Sequence, residues 1–355
     1  AVCLVAALRY PFVGILTWAW FSLMNPHQLA YGVFGVPLNV IIASTTIGSI
    51  LFSGAWRTFA LDRISLLLIA LSFWIWMSQV FSLDAANSAV FFDRFVKQLL
   101  FALLCVQMVS DRLRFHALLW MLIIGIGYFA LKGALFTALT LGQFRVQGVP
   151  NTILEDNNHM GIAIATILPL ILYLRAEAAQ RTIRTALAVL FVASIVAVIG
   201  THSRGAFVAL VVFAAFFWLH SKRKLSILAA LALVIVPAIA FMPSKWTSRM
   251  ETITNATEDA SFMGRVDAWT INAKLAAKHP LTGAGLRNSY QTKIAASVDP
   301  ARAARAKAAH SIYFEMLGGT GFVGLSIYLA LLGTAFMTAL GLHLRRGAPG
   351  KSSWV

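Results

Sequence analysis

The chain has 355 residues, of which 59% are hydrophobic and only 12% charged, with a formal net charge of +16 and a mean hydropathy of +0.78. Soluble domains of this length carry about 25% charged residues, so the composition excludes an ordinary water-soluble enzyme and points to a polytopic helical membrane protein. Cys3 and Cys105 both lie in apolar runs and offer no disulfide framework.

In chain order, apolar segments fall at roughly 1–8, 11–24, 33–53, 64–82, 94–109, 115–141, 159–174, 185–200, 205–220, 226–242 and 313–343. Several approach the roughly 20 residues needed to cross hydrocarbon. The first segment opens mid-run at Ala1 without a Met. The expectation is therefore a piece of a longer protein, with no assignable signal peptide.

Short loops on one side carry Arg9; Arg57 and Arg63; Arg112 and Arg114; Arg175, Arg181 and Arg184; Lys222, Arg223 and Lys224; then Arg345 and Arg346. The alternate short loops carry few cations: none in 25–32 or 83–93, and only Arg145 in 142–158. The positive-inside rule then makes the basic loops cytoplasmic. The opposite, outer face receives the polar knot at 200–204 and the long stretch 243–312. That face is periplasmic if the source is a Gram-negative bacterium.

The long stretch holds ten Lys or Arg and five acids, a surplus of five positive charges. Long loops translocate regardless of charge, and the surplus asks for an anionic partner. Within it, 264–278 reads as an amphipathic helix with Val266, Trp269, Ala273 and Ala276 or Ala277 on one face. His279-Pro280 ends that helix. A second helix starts at Asp299-Pro300, acid as N-cap and proline at the first helical position, with a body over Ala301–Ala309. The expected fold is thus all-α: a polytopic integral membrane protein of about 11–12 transmembrane helices with one large helical periplasmic loop. Its domains are a bundle at 1–242, a loop domain at 243–312, and a C-terminal helix with a cytoplasmic tail at 313–355.

Three polar clusters interrupt the apolar chain: Ser203-Arg204-Gly205, the stretch from Gly264-Arg265 to Gly285, and His310-Ser311 with Tyr313 and Glu315. Arg204 either snorkels from a tight hairpin or offers a fixed guanidinium to a phosphate. Arg265 either pairs with Asp267, caps a turn, or serves the same anion. His310 lies where an aqueous loop re-enters the membrane. It is either structural or a general base oriented by a nearby acid. Glu155-Asp156-Asn157-Asn158-His159 reads as helix capping by Asn158 or Asp156, with binding of sugar hydroxyls or a metal by the run as the functional alternative. No metal-ligand spacing is present, and Gly283-Ala284-Gly285 is too short for a nucleotide loop. Metal-independent chemistry is expected.

Taken together, Thr201-His-Ser-Arg-Gly-Ala-Phe-Val-Ala209, Gly264-Arg265 with Trp269, Pro280, Gly283 and Gly285, and Ala309-His-Ser-Ile-Tyr-Phe-Glu315 with Gly318, Gly321 and Gly324 resemble the O-antigen ligase family. Its relatives include O-antigen polymerases and protein O-oligosaccharyltransferases. Trp18-Ala-Trp-Phe-Ser-Leu-Met-Asn-Pro-His27 is also similar to a branch associated with exopolysaccharide export.

The resemblance implies an enzyme at the periplasmic face of the bacterial inner membrane. It would move a preassembled glycan from undecaprenyl pyrophosphate to a lipid A-core sugar, with inversion. Arg204 and Arg265 would hold the pyrophosphate and His310 would act as general base. Ser203, Tyr313, Glu315 and Asn158 would line the substrate site. Membrane lipids are the other partners; no cofactor and no nucleic acid are implied. An O-antigen polymerase or protein-glycosylating ligase would share the donor. An anion or lipid transporter is the rival of another class, disfavoured by the absence of an inverted repeat of interrupted helices.

Overall fold

The computed structural model describes residues 2–30, 36–150, 152–221, 224–225, 260–305 and 307–345. Most of the described residues are helical, and none of them forms a strand. Five helices are long and apolar enough to cross a membrane, and three shorter apolar helices accompany them. The chain is an all-α, multi-pass membrane protein. The expected span at 226–242 lies outside the described residues.

The helices are α1 (Val2–Arg9), α2 (Pro11–Met24), α3 (Pro26–Leu29), α4 (Leu38–Phe52), α5 (Arg63–Val80), α6 (Ala85–Met108), α7 (Arg112–Leu139), α8 (Asn157–Glu177), α9 (Arg181–Gly200), α10 (Arg204–His220), α11 (Ala260–Lys278), α12 (Thr292–Ala296), α13 (Pro300–Ala303) and α14 (Ile312–Arg345). The scarce acids open many of them. Asp62, Asp84, Asp111, Asp156 and Asp299 each accept an amide hydrogen bond in the following first turn, as does Ser203 at α10. An N-cap oxygen satisfies an amide that the helix itself leaves orphaned.

The chain forms two compact units. The first joins Ala1–Trp56 with Asp111–Ile253. Its core runs along α7, α8 and α9, with Ile123, Phe129, Met160, Ile164, Leu168 and Ile195 buried at the centre. Small residues let these helices approach. Gly161 of α8 lies against Ala206 and Thr201, so a Cβ there would stand 2.7 Å from the Ala206 methyl.

The second unit joins Arg57–Ser110 with Thr254–Val355. One core sets Leu71, Ile75 and Leu99 against Leu286 and Met316. A smaller core of Ile271, Leu275, Ala284, Ile294, Ala295 and Ala303 holds the long loop together. The described part of that stretch, 260–305, is therefore packed around a core of its own.

Two expectations for this unit are corrected. Helix α6 begins at Ala85, inside the stretch expected to be an outer loop at 83–93, because Asp84 caps it by accepting from the Asn87 amide at 3.0 Å. The helix begun at Asp299-Pro300 ends at Ala303 and does not continue to Ala309. The carbonyl of Ala309 instead accepts from Trp269 Nε1 at 2.8 Å, and the side chains of Arg302 and Arg305 turn to Asp267.

Candidate active site

In the second unit the site is built on the turn that precedes α14. Ala309 is buried, with its carbonyl fixed by Trp269, and the Trp269 ring stacks on Phe314 at 5.2 Å with an 8° tilt. Between these anchors His310 takes a left-handed φ of 47° and is exposed. Left-handed backbone is uncommon for a residue with a side chain. It persists where the surroundings over-determine it, and here the ring on one side and the first turn of α14 on the other do so. Ser311 opens that turn, its carbonyl accepting from the Glu315 amide at 3.0 Å.

Glu315 is half-buried. It accepts a 2.5 Å hydrogen bond from the Tyr290 hydroxyl and lies 3.9 Å from Arg287 Nε. Burial raises the Tyr290 phenol above its usual range, and the neighbouring Glu315 charge adds to the effect. Arg287 sits in left-handed backbone at φ 56° with its guanidinium 4.3 Å from the centre of the Phe91 ring. Tyr313 is exposed and meets Tyr328 edge-on at 6.4 Å.

Arg265 lies one helical turn before Trp269 on α11. The alternative that it pairs with Asp267 is not what the structure shows. Asp267 accepts from Arg302 Nε at 3.1 Å, and Arg305 Nε stands 3.0 Å from its other oxygen, close enough for an ion pair though not aligned as a hydrogen bond. The Nε of Arg265 is buried and has no hydrogen-bond partner among the described residues. The open face of α11 carries an apolar groove of about 500 Å³ lined by Val266, Trp269, Ala273, Ala277 and Phe314, with Lys274 at its edge. Of the two alternatives Ala276 and Ala277, Ala277 lies on this face and Ala276 is buried.

A charged cluster braces the floor of this subdomain. Hydrogen bonds from Lys274 and then Arg302 hold the Asp299 carboxyl down to about 2 from 3.8. A group whose folded pKa is depressed stabilises the fold above its unfolded value and loses that contribution as pH falls through the folded one. Trp269 fluorescence should therefore report loosening of the subdomain between about pH 4 and about pH 2, the window set by these two values. Asp299→Asn should flatten that transition and weaken the subdomain at neutral pH.

The glycines of the sequence motif have a mechanical role. The amides of Ala284 and Gly285 donate to the carbonyls of Gly318 and Gly319 at 2.8 and 3.1 Å, and the Phe322 amide donates to the Pro280 carbonyl at 2.8 Å. This pairing runs across a break in α14 at Gly321, whose φ of 71° and ψ of −173° are non-helical. Asn288 ties the same loop to the α5–α6 connection, donating to Ser82 Oγ at 2.8 Å and accepting from Asn87 Nδ2 at 2.8 Å.

In the first unit Arg204 is the first residue of α10, directly after the Ser203 cap. Ser203 Oγ donates to Asn158 Oδ1 at 2.7 Å, and Asn157 Nδ2 donates to the Thr201 carbonyl at 2.8 Å. These bonds join the N-termini of α8 and α10, so both helix dipoles present their positive ends beside Arg204. Asp156, not Asn158, caps α8. Gly205 is exposed and a Cβ there would meet nothing within 4 Å. His202, like His310, takes left-handed backbone (φ 53°) just before a serine and a helix start.

Residues 189–329, which contain Ser203, Arg204, Arg265, His310, Tyr313 and Glu315, match the family model described as O-Antigen ligase. That region is an O-antigen ligase domain. Residues 1–182, just over half of the chain and including Asn158, match a model described as a family of unknown function (DUF5935), and the chain belongs to that family. No curated protein and no solved structure matches the chain significantly. The ligase domain points to glycan transfer of the ligase or polymerase type, carried out by a multi-pass membrane protein with a lipid-linked donor.

Within this family site, Arg287 and Tyr290 are the residues that sequence reading missed. Neither belongs to a motif, and no spacing marks them. Only the fold brings them to Glu315.

Proposed function

We propose that the chain transfers a preassembled glycan from undecaprenyl pyrophosphate to a lipid A-core sugar at the periplasmic face of the bacterial inner membrane. The observation that carries this reading is His310. It is an exposed imidazole clamped in a left-handed turn inside the O-antigen ligase region. A base must be held in place and yet be open to an incoming hydroxyl, and this turn meets both demands.

The imidazole takes the proton of the acceptor hydroxyl as its oxygen bonds to the anomeric carbon. The bond from that carbon to the pyrophosphate oxygen breaks on the opposite side, which inverts the centre. The lipid pyrophosphate leaves with the charge spread over its oxygens. Arg265, whose Nε has no hydrogen-bond partner among the described residues, and Arg204, beside two helix N-termini, stabilise that charge. The Ser203–Asn158 pair supplies polar groups for the glycan, as do exposed Tyr313 and Glu315, which Tyr290 holds by a hydrogen bond. An apolar groove of about 740 Å³ between α8 and α10, lined by Leu172, Tyr173, Phe213, Phe216 and Phe217, suits the polyprenyl tail. The surplus of cations in 243–312 suits a phosphorylated acceptor.

The test is transfer in proteoliposomes from a lipid-pyrophosphate glycan to rough lipopolysaccharide, with chelator present and no nucleotide. Arg204→Ala should lower the rate by about 10²–10³-fold, the usual effect of losing one positioned donor. Lengthening of the donor glycan without transfer to lipopolysaccharide would move the chain to the polymerase type.

A further inference from the structure

A second cationic site lies at the other end of the α8–α9 hairpin. Arg175 near the end of α8, and Arg181 and Arg184 in the first turn of α9, line a cavity of about 430 Å³ with Ala176, Thr185 and Ala188. That volume falls within the roughly 300–1,000 Å³ of small-ligand sites. Arg181, Arg184, Thr185 and Ala188 recur at the spacing of one helix face. No acid lines the cavity. Glu177, the nearest in sequence, is bound instead by Arg112. Among the described residues the three guanidiniums have no carboxylate partner.

The positive-inside rule explains basic residues in this loop but not their convergence on a cavity. Three guanidiniums that line one cavity, with no carboxylate partner among the described residues, repel one another, and an anion between them offsets that repulsion. Arginine matches phosphate oxygens with paired donors. Helix α9 adds its positive end, for Gln180 gives it no side-chain cap.

The level of the cavity identifies its occupant. Helix α9 runs 20 residues from Arg181 to Gly200, a rise of about 30 Å and close to one hydrocarbon thickness. The cavity thus lies at one bilayer interface while Thr201, Ser203 and Asn158 lie at the other. Below it the same side of α9 continues as exposed Val189 and Val192, a surface for an acyl chain. We propose that Arg175, Arg181 and Arg184 form a phosphate-binding site that takes the headgroup of an anionic phospholipid in the leaflet opposite the glycan-transfer site.

The experiment is native mass spectrometry of the full chain in detergent, titrated with dioleoylphosphatidylglycerol, with the matching phosphatidylcholine, or with inorganic phosphate at matched ionic strength. Wild type should bind phosphatidylglycerol on the order of tenfold more tightly than phosphatidylcholine. R175Q/R181Q/R184Q should lose that preference, and R184Q alone should weaken it. R57Q/R63Q, which alters another basic loop, should keep it. Undiminished binding by the triple variant would overturn the proposal, as would an equal loss in R57Q/R63Q, which would mean a diffuse cationic surface. Phosphate saturating the site without any preference for phosphatidylglycerol would overturn the lipid as occupant. Each chain's unfolding temperature is read alongside. If the triple variant fails to fold, R184Q decides.

Discussion

His310→Asn is expected to leave a well-folded protein that transfers glycan about 10²–10⁴-fold more slowly, the range set by losing a positioned general base. Asparagine is the informative replacement. Alanine at φ 47° would add backbone strain of its own, whereas Asn visits the left-handed region readily. The Trp269–Ala309 bond and the start of α14 should both survive, because His310 is exposed and neither anchor uses its side chain. Transfer and unfolding temperature, measured on one preparation, separate chemistry from folding. Transfer within tenfold of wild type in a folded variant would remove His310 from the mechanism.

The largest effect on stability is expected at Gly321. Its φ of 71° and ψ of −173° occupy a region that residues with a Cβ essentially do not enter. A methyl there would point at the carbonyl of Leu281 and stand 2.6 Å from that of Pro280. Gly321→Ala therefore costs strain of about 1–3 kcal/mol, plus about 1 kcal/mol as the Phe322–Pro280 hydrogen bond breaks. Thermal unfolding should fall accordingly, with faster amide exchange at Ala284, Gly285 and Phe322. Gly333 lies in the same helix with nothing within 4 Å of its Cβ position. Gly333→Ala should be neutral or slightly stabilising. A matched loss at both positions would mean that the break is not the cause.

Much of the fold was legible because its signals are local. Hydropathy marks α5, α7, α8 and α9, and Asp299-Pro300 marks the start of α13 as N-cap and first helical residue. The extent of that helix was not legible. Its alanine-rich continuation has high helix propensity, yet the bonds that stop it come from α11: Trp269 takes the Ala309 carbonyl, and Asp267 draws in Arg302 and Arg305. Tertiary partners override propensity over so short a stretch. For the site, His310, Arg265 and Arg204 were marked as polar residues in apolar surroundings. Arg287 and Tyr290 were hidden, because an arginine and a tyrosine in a long loop carry no pattern until the backbone places them at Glu315. Asn158 was read within a capping run. Its bond to Ser203 spans 45 residues, a separation that no periodicity reports.

The interruption at Gly321 also decides what His310 is registered against. The first half of α14, from Ile312 to Thr320, accepts backbone bonds from Ala284 and Gly285, and the Thr320 carbonyl accepts from Trp74 Nε1 at 3.0 Å. The second half, from Phe322 onward, is apolar and largely exposed among the described residues. The register of the His310 turn is thus set by bonds within the protein, through Trp269, Ala284 and Gly285, and not by the length of the apolar half that follows.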